Sequence, residues 1–410
     1  MVAAATAAGM ECGWRNPQLF QSSSISVVRD CDSQTWNKMM RLAVFVTPHG
    51  FGHAARACAL IQAIADQRAG VGFEIFTTVP DWFFRQSLSV AFGYHLVATD
   101  LGLVQKGPLQ ADLPATVARL DRFLPFDPGL VDALAIRLAH LNCRAVICDI
   151  APLGIAVARH AGIPSILVEN FTWDWIYRAY AGNHPGFCPH IDYLERLFAG
   201  ADCHIQTDPV CRVAKPALRV GPISRKPRQN RAAVRAALGI ADGVKLVSVS
   251  MGGVPGPDLV PAGARLPDGI VVVLATQNPA DAQVAGVVRL GADSAFYHPD
   301  LVEAADAVVG KIGYSTLAEV CLAGIAYGFV ARADCPEAPV LAAYARRHMA
   351  CLPIDPCALA NGRWLDHLAP LLALPRQADP PANAADQAAT AILDDLAAWL
   401  KRAPLRPSNP

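Results

Sequence analysis

The sequence has no run of roughly eighteen apolar residues, so no transmembrane helix is expected, although 53% of its 410 residues are hydrophobic. Charged residues make up 17% of the chain and sum to a net charge of zero. That balance leaves no overall field of the kind that non-specific nucleic-acid binding needs. None of the 12 cysteines stands at C-x-x-C spacing, which argues against a zinc ribbon or a thioredoxin-type redox motif. Scattered through apolar segments, they read as reduced thiols of a cytoplasmic protein. The Ala3–Ala8 patch lacks a basic flank and a long apolar stretch, so it does not read as a signal peptide. Residues 1–40 are read as a disordered leader or a translation start placed too early, because Met39-Met40 directly precede the first strong strand. No solenoid-type repeat is present.

What the chain does have is alternation. Short apolar runs such as Arg41–Thr47, Phe73–Thr77, Ala145–Asp149, Ser165–Val168 and Cys203–Thr207 are separated by segments of helical pattern such as Asp81–Ser87, Leu113–Phe123, Pro128–Leu141 and Leu153–Ala161. Continuous apolar strands alternating with helices indicate parallel α/β sheets with both faces covered. The pattern restarts after a Pro-containing stretch with strands expected at Leu246–Ser250, Ile270–Leu274, Ala295–Tyr297, Ala307–Val309 and Tyr327–Val330. The division is therefore 41–215 for a first Rossmann-like domain, 216–230 for a linker, 231–375 for a second, and 376–410 for a further linker and a terminal helix over Ala384–Lys401. The densest basic cluster spans the first linker: Lys215, Arg219, Arg225, Lys226, Arg228, Arg231 and Arg235. It reads as a solvated connector, with phosphate binding or peripheral contact with an anionic membrane as the alternative.

Two stretches carry candidate chemistry. Val308–Glu319 is an apolar strand that leaves through Gly310, Lys311 and Gly313 into a helix opening on Ser315 and Thr316. Unpaired N–H groups at such a helix N-terminus favour a phosphate or diphosphate. Glu319, three residues after Thr316, either completes a capping box with it or accepts from ribose hydroxyls. Lys311 either neutralises phosphate charge or is a solvated strand-end lysine. In the first half, Gly50-Phe51-Gly52-His53 follows a strand and puts His53 at a helix start, with Arg56 one turn on. The helix dipole keeps such a histidine neutral, so it can act as a general base or donate to an anionic oxygen. Asp149, Glu169, Asn170, Trp173, Asp174 and Trp175 follow strand ends, where open α/β sheets form crevices. The two tryptophans either stack on a sugar or pack in the core.

The blocks HGFGHAARACAL, DIAPLGIAVARHAGIPSILVENFTWDWIY and PDLVEAADAVVGKIGYSTLAEV resemble the glycosyltransferase-like N-terminal region of plant-type L-arabinokinases and stand-alone bacterial glycosyltransferases of GT-B architecture. The resemblance runs over most of residues 41–375. It implies two Rossmann-like domains facing a central cleft, the first for the acceptor and the second for a nucleotide-sugar. The wider group shares a G-x-x-T-x-x-E pattern, here Gly313, Thr316 and Glu319, which implies Ser315 and Thr316 at the diphosphate and Glu319 at the ribose. It also implies Gly252 and Gly253 at the phosphates, Phe296 and Tyr297 beside the base, and Glu337, with Asp334 in reserve, at the donor sugar. Gly50, Gly52, Arg56, Asp149, Asn170, Trp173 and Asp174 fall on the acceptor side.

The implied activity is metal-independent hexosyl or N-acetylhexosaminyl transfer from a UDP-sugar to a small-molecule or glycolipid acceptor, with no further cofactor. No kinase-type phosphate loop follows the matched region, so arabinokinase activity does not carry over. The GFGH-x-x-R block is also similar to that of the UDP-sugar hydrolase of the pseudaminic acid pathway, which leaves water as an alternative acceptor. A non-catalytic sugar-nucleotide sensor is the third reading.

Overall fold

A computed structural model describes residues 27–28, 40–107, 110–215, 217–252, 259–261, 263–275, 284–291 and 294–402. Most of the expected leader, Gly253 and the distal parts of the loops after the second, glycine-led strand set lie outside the described residues. The first sheet has eight strands: β1 (Val27–Val28), β2 (Met40–Val46), β3 (Val71–Thr77), β4 (Phe92–Leu96), β5 (Cys143–Asp149), β6 (Ser165–Glu169), β7 (Cys203–Thr207) and β8 (Leu218–Val220). Their order is β1-β4-β3-β2-β5-β6-β7-β8. All pairs are parallel except the short β1 edge, which runs antiparallel to β4. The second sheet has six strands: β9 (Lys245–Ser250), β10 (Ile270–Ala275), β11 (Val287–Leu290), β12 (Ala307–Lys311), β13 (Ala326–Val330) and β14 (Cys351–Pro353). It is parallel throughout, in the order β11-β10-β9-β12-β13-β14.

Both sheets are covered on both faces, as their continuous apolar strands require. On one face of the first sheet, helices α1 (Phe51–Gln67) and α2 (Asp81–Ser87) join Leu42, Val44 and Ile75 in one buried cluster. The alanines of α1 let backbones approach closely, and helix α5 (Ala385–Arg402) lays Ala388, Ala389 and Ile392 against this cluster. The terminal helix thus returns to the first half of the molecule. In the second half, helices α3 (Tyr314–Ala323) and α4 (Glu337–His348) cover one face of the sheet.

In each sheet the strand order turns back beside the first strand: β2 is flanked by β3 and β5, and β9 by β10 and β12. Such a switch point opens a crevice at the carboxyl ends of the two diverging strands, where α/β folds hold ligands. The β2–β5 crevice receives the N-terminus of α1, and the β9–β12 crevice that of α3.

Two sequence expectations are corrected. Ala295–Tyr297 is not a strand but the extended lead-in to the His298–Ala304 helix, and the edge strand is β11 instead. The first linker is not a solvated connector: it contributes β8 to the first sheet and buries Ile223, Ser224 and Arg225. The two passages between the halves also run side by side. Ala384 N donates to the Pro222 carbonyl at 3.0 Å and Asn383 Nδ2 to the Ser224 carbonyl at 2.6 Å.

Candidate active site

The chain leaves β2 through Pro48 and His49 and enters α1 at Gly50, whose φ of 79° is strained for any residue with a Cβ. One turn into the helix, His53 and Arg56 point toward the end of β5. Arg56 grips Asp149 with two hydrogen bonds, Nε to Oδ2 at 2.7 Å and Nη2 to Oδ1 at 2.6 Å, and its Nη1 donates to Asn170 Oδ1 at 2.9 Å. Burial alone would raise the Asp149 carboxyl, but the charge and hydrogen bonds of Arg56, with help from His53, hold it below the usual carboxylate range. His53 Nδ1 lies 3.2 Å from Asp149 Oδ1 and 3.4 Å from Arg56 Nη2, so this pair fixes the ring through Nδ1 and turns Nε2 away from them. Sequence placed Asp149 at the acceptor; the geometry makes it the partner that orients His53.

Across from this, Gly310 at the end of β12 lies so close to β9 that a Cβ there would collide with the Ser250 carbonyl. That close approach explains the glycine. Gly313 caps α3 with no side-chain hydrogen bond, so the helix starts at Tyr314 and Thr316 lies within its first turn. The capping-box reading of Thr316 and Glu319 therefore fails: Glu319 lies beyond the first turn, and its side chain turns inward. Its Oε1 accepts from Arg225 Nη2 at 3.0 Å and its Oε2 from His298 Nδ1 at 2.6 Å, while His298 Nε2 meets Ser250 Oγ at 3.1 Å. Despite burial, His298 and Arg225 depress the Glu319 carboxyl to about 2. Lys311 lies behind this turn near Gly252, and burial together with the Arg332 charge lowers its ammonium to about 8. That is the setting of a partly desolvated cation, not of a solvated strand end.

The two helix N-termini meet. A Cβ placed on Gly52 would lie 3.4 Å from the Cβ of Ser315, and one on Gly50 would lie 3.7 Å from the Gly252 carbonyl. The Arg56 guanidinium stacks 4.8 Å over the Tyr314 ring, and the Tyr314 hydroxyl bonds to Thr207 Oγ1 and accepts from Ile223 N. Asn170 Nδ2 donates to Glu337 Oε1 at 2.8 Å, and the Tyr180 hydroxyl to the Asp334 carbonyl at 2.6 Å. So Asn170, expected at the acceptor, and Glu337, expected at the donor sugar, hold each other across the cleft.

The remaining candidates are placed differently. Trp173 is buried, stacks on Tyr177 and donates from Nε1 to Asp100 Oδ2 at 3.2 Å, so packing wins over sugar stacking. Trp175 packs partly buried in the same cluster. Asp174 is buried and accepts from Arg212, and Glu169 from Gln206 with His204 beside it, so neither faces an open acceptor pocket. The guanidinium groups of Arg225 and Arg228 lie over the Tyr297 ring at 5.0 and 4.4 Å, which occupies the surface a base would stack on. Phe296 is half-buried against the second-half core. Arg225 and His298 went unrecognised in the sequence. The signal for Arg225 was its position next to the apolar Gly221-Pro222-Ile223 run, and for His298 the Pro at the second position of a helix start.

No protein-family model matches the chain. It is 29% identical over 318 residues to the L-arabinokinase of Arabidopsis thaliana, a match covering 74% of this chain but 29% of that protein, so the chain spans less than a third of the relative's length. Among solved structures, the calicheamicin glycosyltransferase CalG4 superposes with a TM-score of 0.54 at 13% identity, over 89% of this chain and 100% of that one. An Arabidopsis thaliana UGT complexed with UDP gives 0.57 at 15% identity over 88% and 100% of the two chains. A Medicago truncatula UGT complexed with UDP-glucose gives 0.53 at 12% over 90% and 99%. At these identities the shared property is architecture, and the chain has the two-domain GT-B fold of glycosyltransferases.

Proposed function

We propose that the protein transfers a sugar from a UDP-sugar to a hydroxyl acceptor, with His53 as the general base. The observation that carries this reading is the pairing of His53, held at Nδ1 by Asp149, with a second helix N-terminus directly opposite it; the reading gives the Nδ1 proton to the Asp149 bond and leaves Nε2 to act as base. In the proposed step, Nε2 takes the acceptor proton as the acceptor oxygen attacks the anomeric carbon. The bond from that carbon to the diphosphate breaks, and its electron pair leaves with the diphosphate. The N–H groups of the first turn of α3, the Ser315 and Thr316 hydroxyls and Lys311 receive the developing charge, a role this reading gives to the protein without a metal. A base in this position contributes about 10²–10⁴-fold. Glu319 is assigned to the ribose hydroxyls. Each of its oxygens keeps a lone pair beyond its bond to Arg225 or His298, so it can accept without surrendering either partner.

The UDP and UDP-glucose bound to the two plant UGTs of the same fold support the choice of donor, and the match to L-arabinokinase supports a sugar-handling role. The test is to incubate the protein with UDP-, GDP- and dTDP-sugars, with and without a panel of sugar and glycolipid acceptors. Nucleoside diphosphate should appear only when an acceptor is present. Release in water alone would reassign the protein as a hydrolase, and binding without turnover would reassign it as a sensor.

A further inference from the structure

The strand ends of the second sheet lie in the order β9, β12, β13, and the proposed donor runs across them. On the β9 side, His298 joins Ser250 to Glu319, the carboxylate assigned to the ribose. In the middle, the N-terminus of α3 is assigned the diphosphate. A nucleotide-sugar laid over these two carries its sugar onward to the loop 331–336 that leaves β13. Resting on the transferase reading above, we propose that this sugar bears a carboxylate, so that the donor is a UDP-hexuronic acid, and that Arg332 is the residue that selects it.

The sheet places Arg332 for that contact. It stands two residues beyond Val330, the register partner of Lys311, so the two cations leave adjacent strand ends. Most of its guanidinium is unspent. Nη2 donates to Cys335 Sγ at 2.9 Å, while Nε and Nη1 have no hydrogen-bond partner and, unlike Arg225 Nε, are not sealed from solvent. The nearby carboxylates do not take them up: Glu337 is held by Asn170, and the exposed Asp334 meets Tyr180 through its carbonyl. Glu337, the acidic residue that the resemblance sets at the donor sugar, is thus engaged, and the charge left facing the sugar is positive.

The opposite wall is His49, half-buried in the loop before α1. Its ring comes near enough to the second half to respond to it: burial first, then the charges of His53, Arg332 and Lys311, hold it well below its usual value and so keep it neutral. A neutral imidazole can meet a sugar hydroxyl, and a guanidinium fork takes a carboxylate through two parallel bonds. A neutral sugar in the same place would leave those donors unpaired, which is the basis of selection.

UDP, UDP-glucose, UDP-glucuronate and UDP-galacturonate are titrated into the full chain by calorimetry, for the wild type and for Arg332→Gln. At least one uronate is expected to bind roughly tenfold more tightly than UDP-glucose, as hydrogen bonds between charged groups allow. Arg332→Gln should remove that advantage while UDP and UDP-glucose bind as before, and their unchanged binding also shows that the variant folds. Equal affinity of the uronates and UDP-glucose in the wild type overturns the inference and leaves the transferase reading standing. A variant that weakens all four ligands alike overturns it too, by giving Arg332 to the diphosphate. Absence of any UDP binding removes the donor reading itself, and this inference with it.

Discussion

The two helix N-termini that face each other are built alike and equipped differently. α1 follows β2 and α3 follows β12, each a strand bordering its sheet's switch point, and each helix is entered through glycine, at Gly50 for α1 and Gly313 for α3. The first carries a titratable side chain locked from behind by a carboxylate and a guanidinium. The second carries hydroxyls, a backbone opened by Gly310 and a cation with lowered affinity for its proton. One backbone device supplies positive potential to both sides of the cleft. In the proposed reaction the side chains then divide the labour, with proton handling on one side and charge neutralisation on the other.

That division can be broken experimentally. His53→Ala should lower kcat by about 10²–10⁴-fold while leaving UDP affinity as it was, read by steady-state kinetics and calorimetry; a loss of UDP binding instead would erase the distinction between the two sides. Asp149→Ala removes the counter-charge of a buried Arg56. It should cost about 3–5 kcal/mol in urea denaturation, and a cost below about 1 kcal/mol would mean that Asn170 and the Tyr314 ring suffice to hold the guanidinium.

Smaller effects sharpen the second side. Glu319→Gln should weaken UDP roughly tenfold, about 1.4 kcal/mol, with kcat at saturating donor little changed. The same variant reports on acid stability. Because the folded Glu319 carboxyl lies near 2, below its ordinary 4.5, the unfolded chain binds the proton first. Its stabilisation is therefore complete above 4.5 and is lost as pH falls toward 2. The pH profile of stability should be steeper in the wild type than in the variant across that window. Lys311 gives the mildest effect, one the wild type does not show at neutral pH: with its ammonium lowered to about 8, UDP affinity should begin to decline only as pH rises through 8, by less than about tenfold up to about pH 9, and Lys311→Met should flatten that slope.

Much of the scaffold was legible because its signals are local. Asp81–Ser87, Leu113–Phe123 and Cys203–Thr207 form where periodicity and apolar runs put them. His53 and Arg56 are visibly on one helix face from their spacing alone. What spacing cannot show is which strand end they meet. Asp149 reaches them only because β5 pairs with β2 in a register that sets Asp149 beside Val46, 103 positions earlier in the chain. Arg225 was hidden for the opposite reason. A lone arginine in a basic, Pro-containing stretch looks solvated until Glu319 is brought over it by the closure of two halves, and no local pattern encodes that closure. Trp173 and Tyr297 show the same limit: an aromatic beside a crevice is a platform or a plug depending on neighbours such as Asp100 and Arg228 that are distant in sequence.

The return of the chain from the second half to α1 bears on how the cleft can move. Two strands of chain, not one, join the halves, and they are fastened to each other where Asn383 and Ala384 meet Ser224 and Pro222. A single tether would allow the halves to swivel and slide. Two tethers lying side by side leave one easy freedom, rotation about the line they share. Under the proposed transferase reading, opening about that line would break the Asn170–Glu337 and Tyr180–Asp334 bonds while sparing those between the two passages.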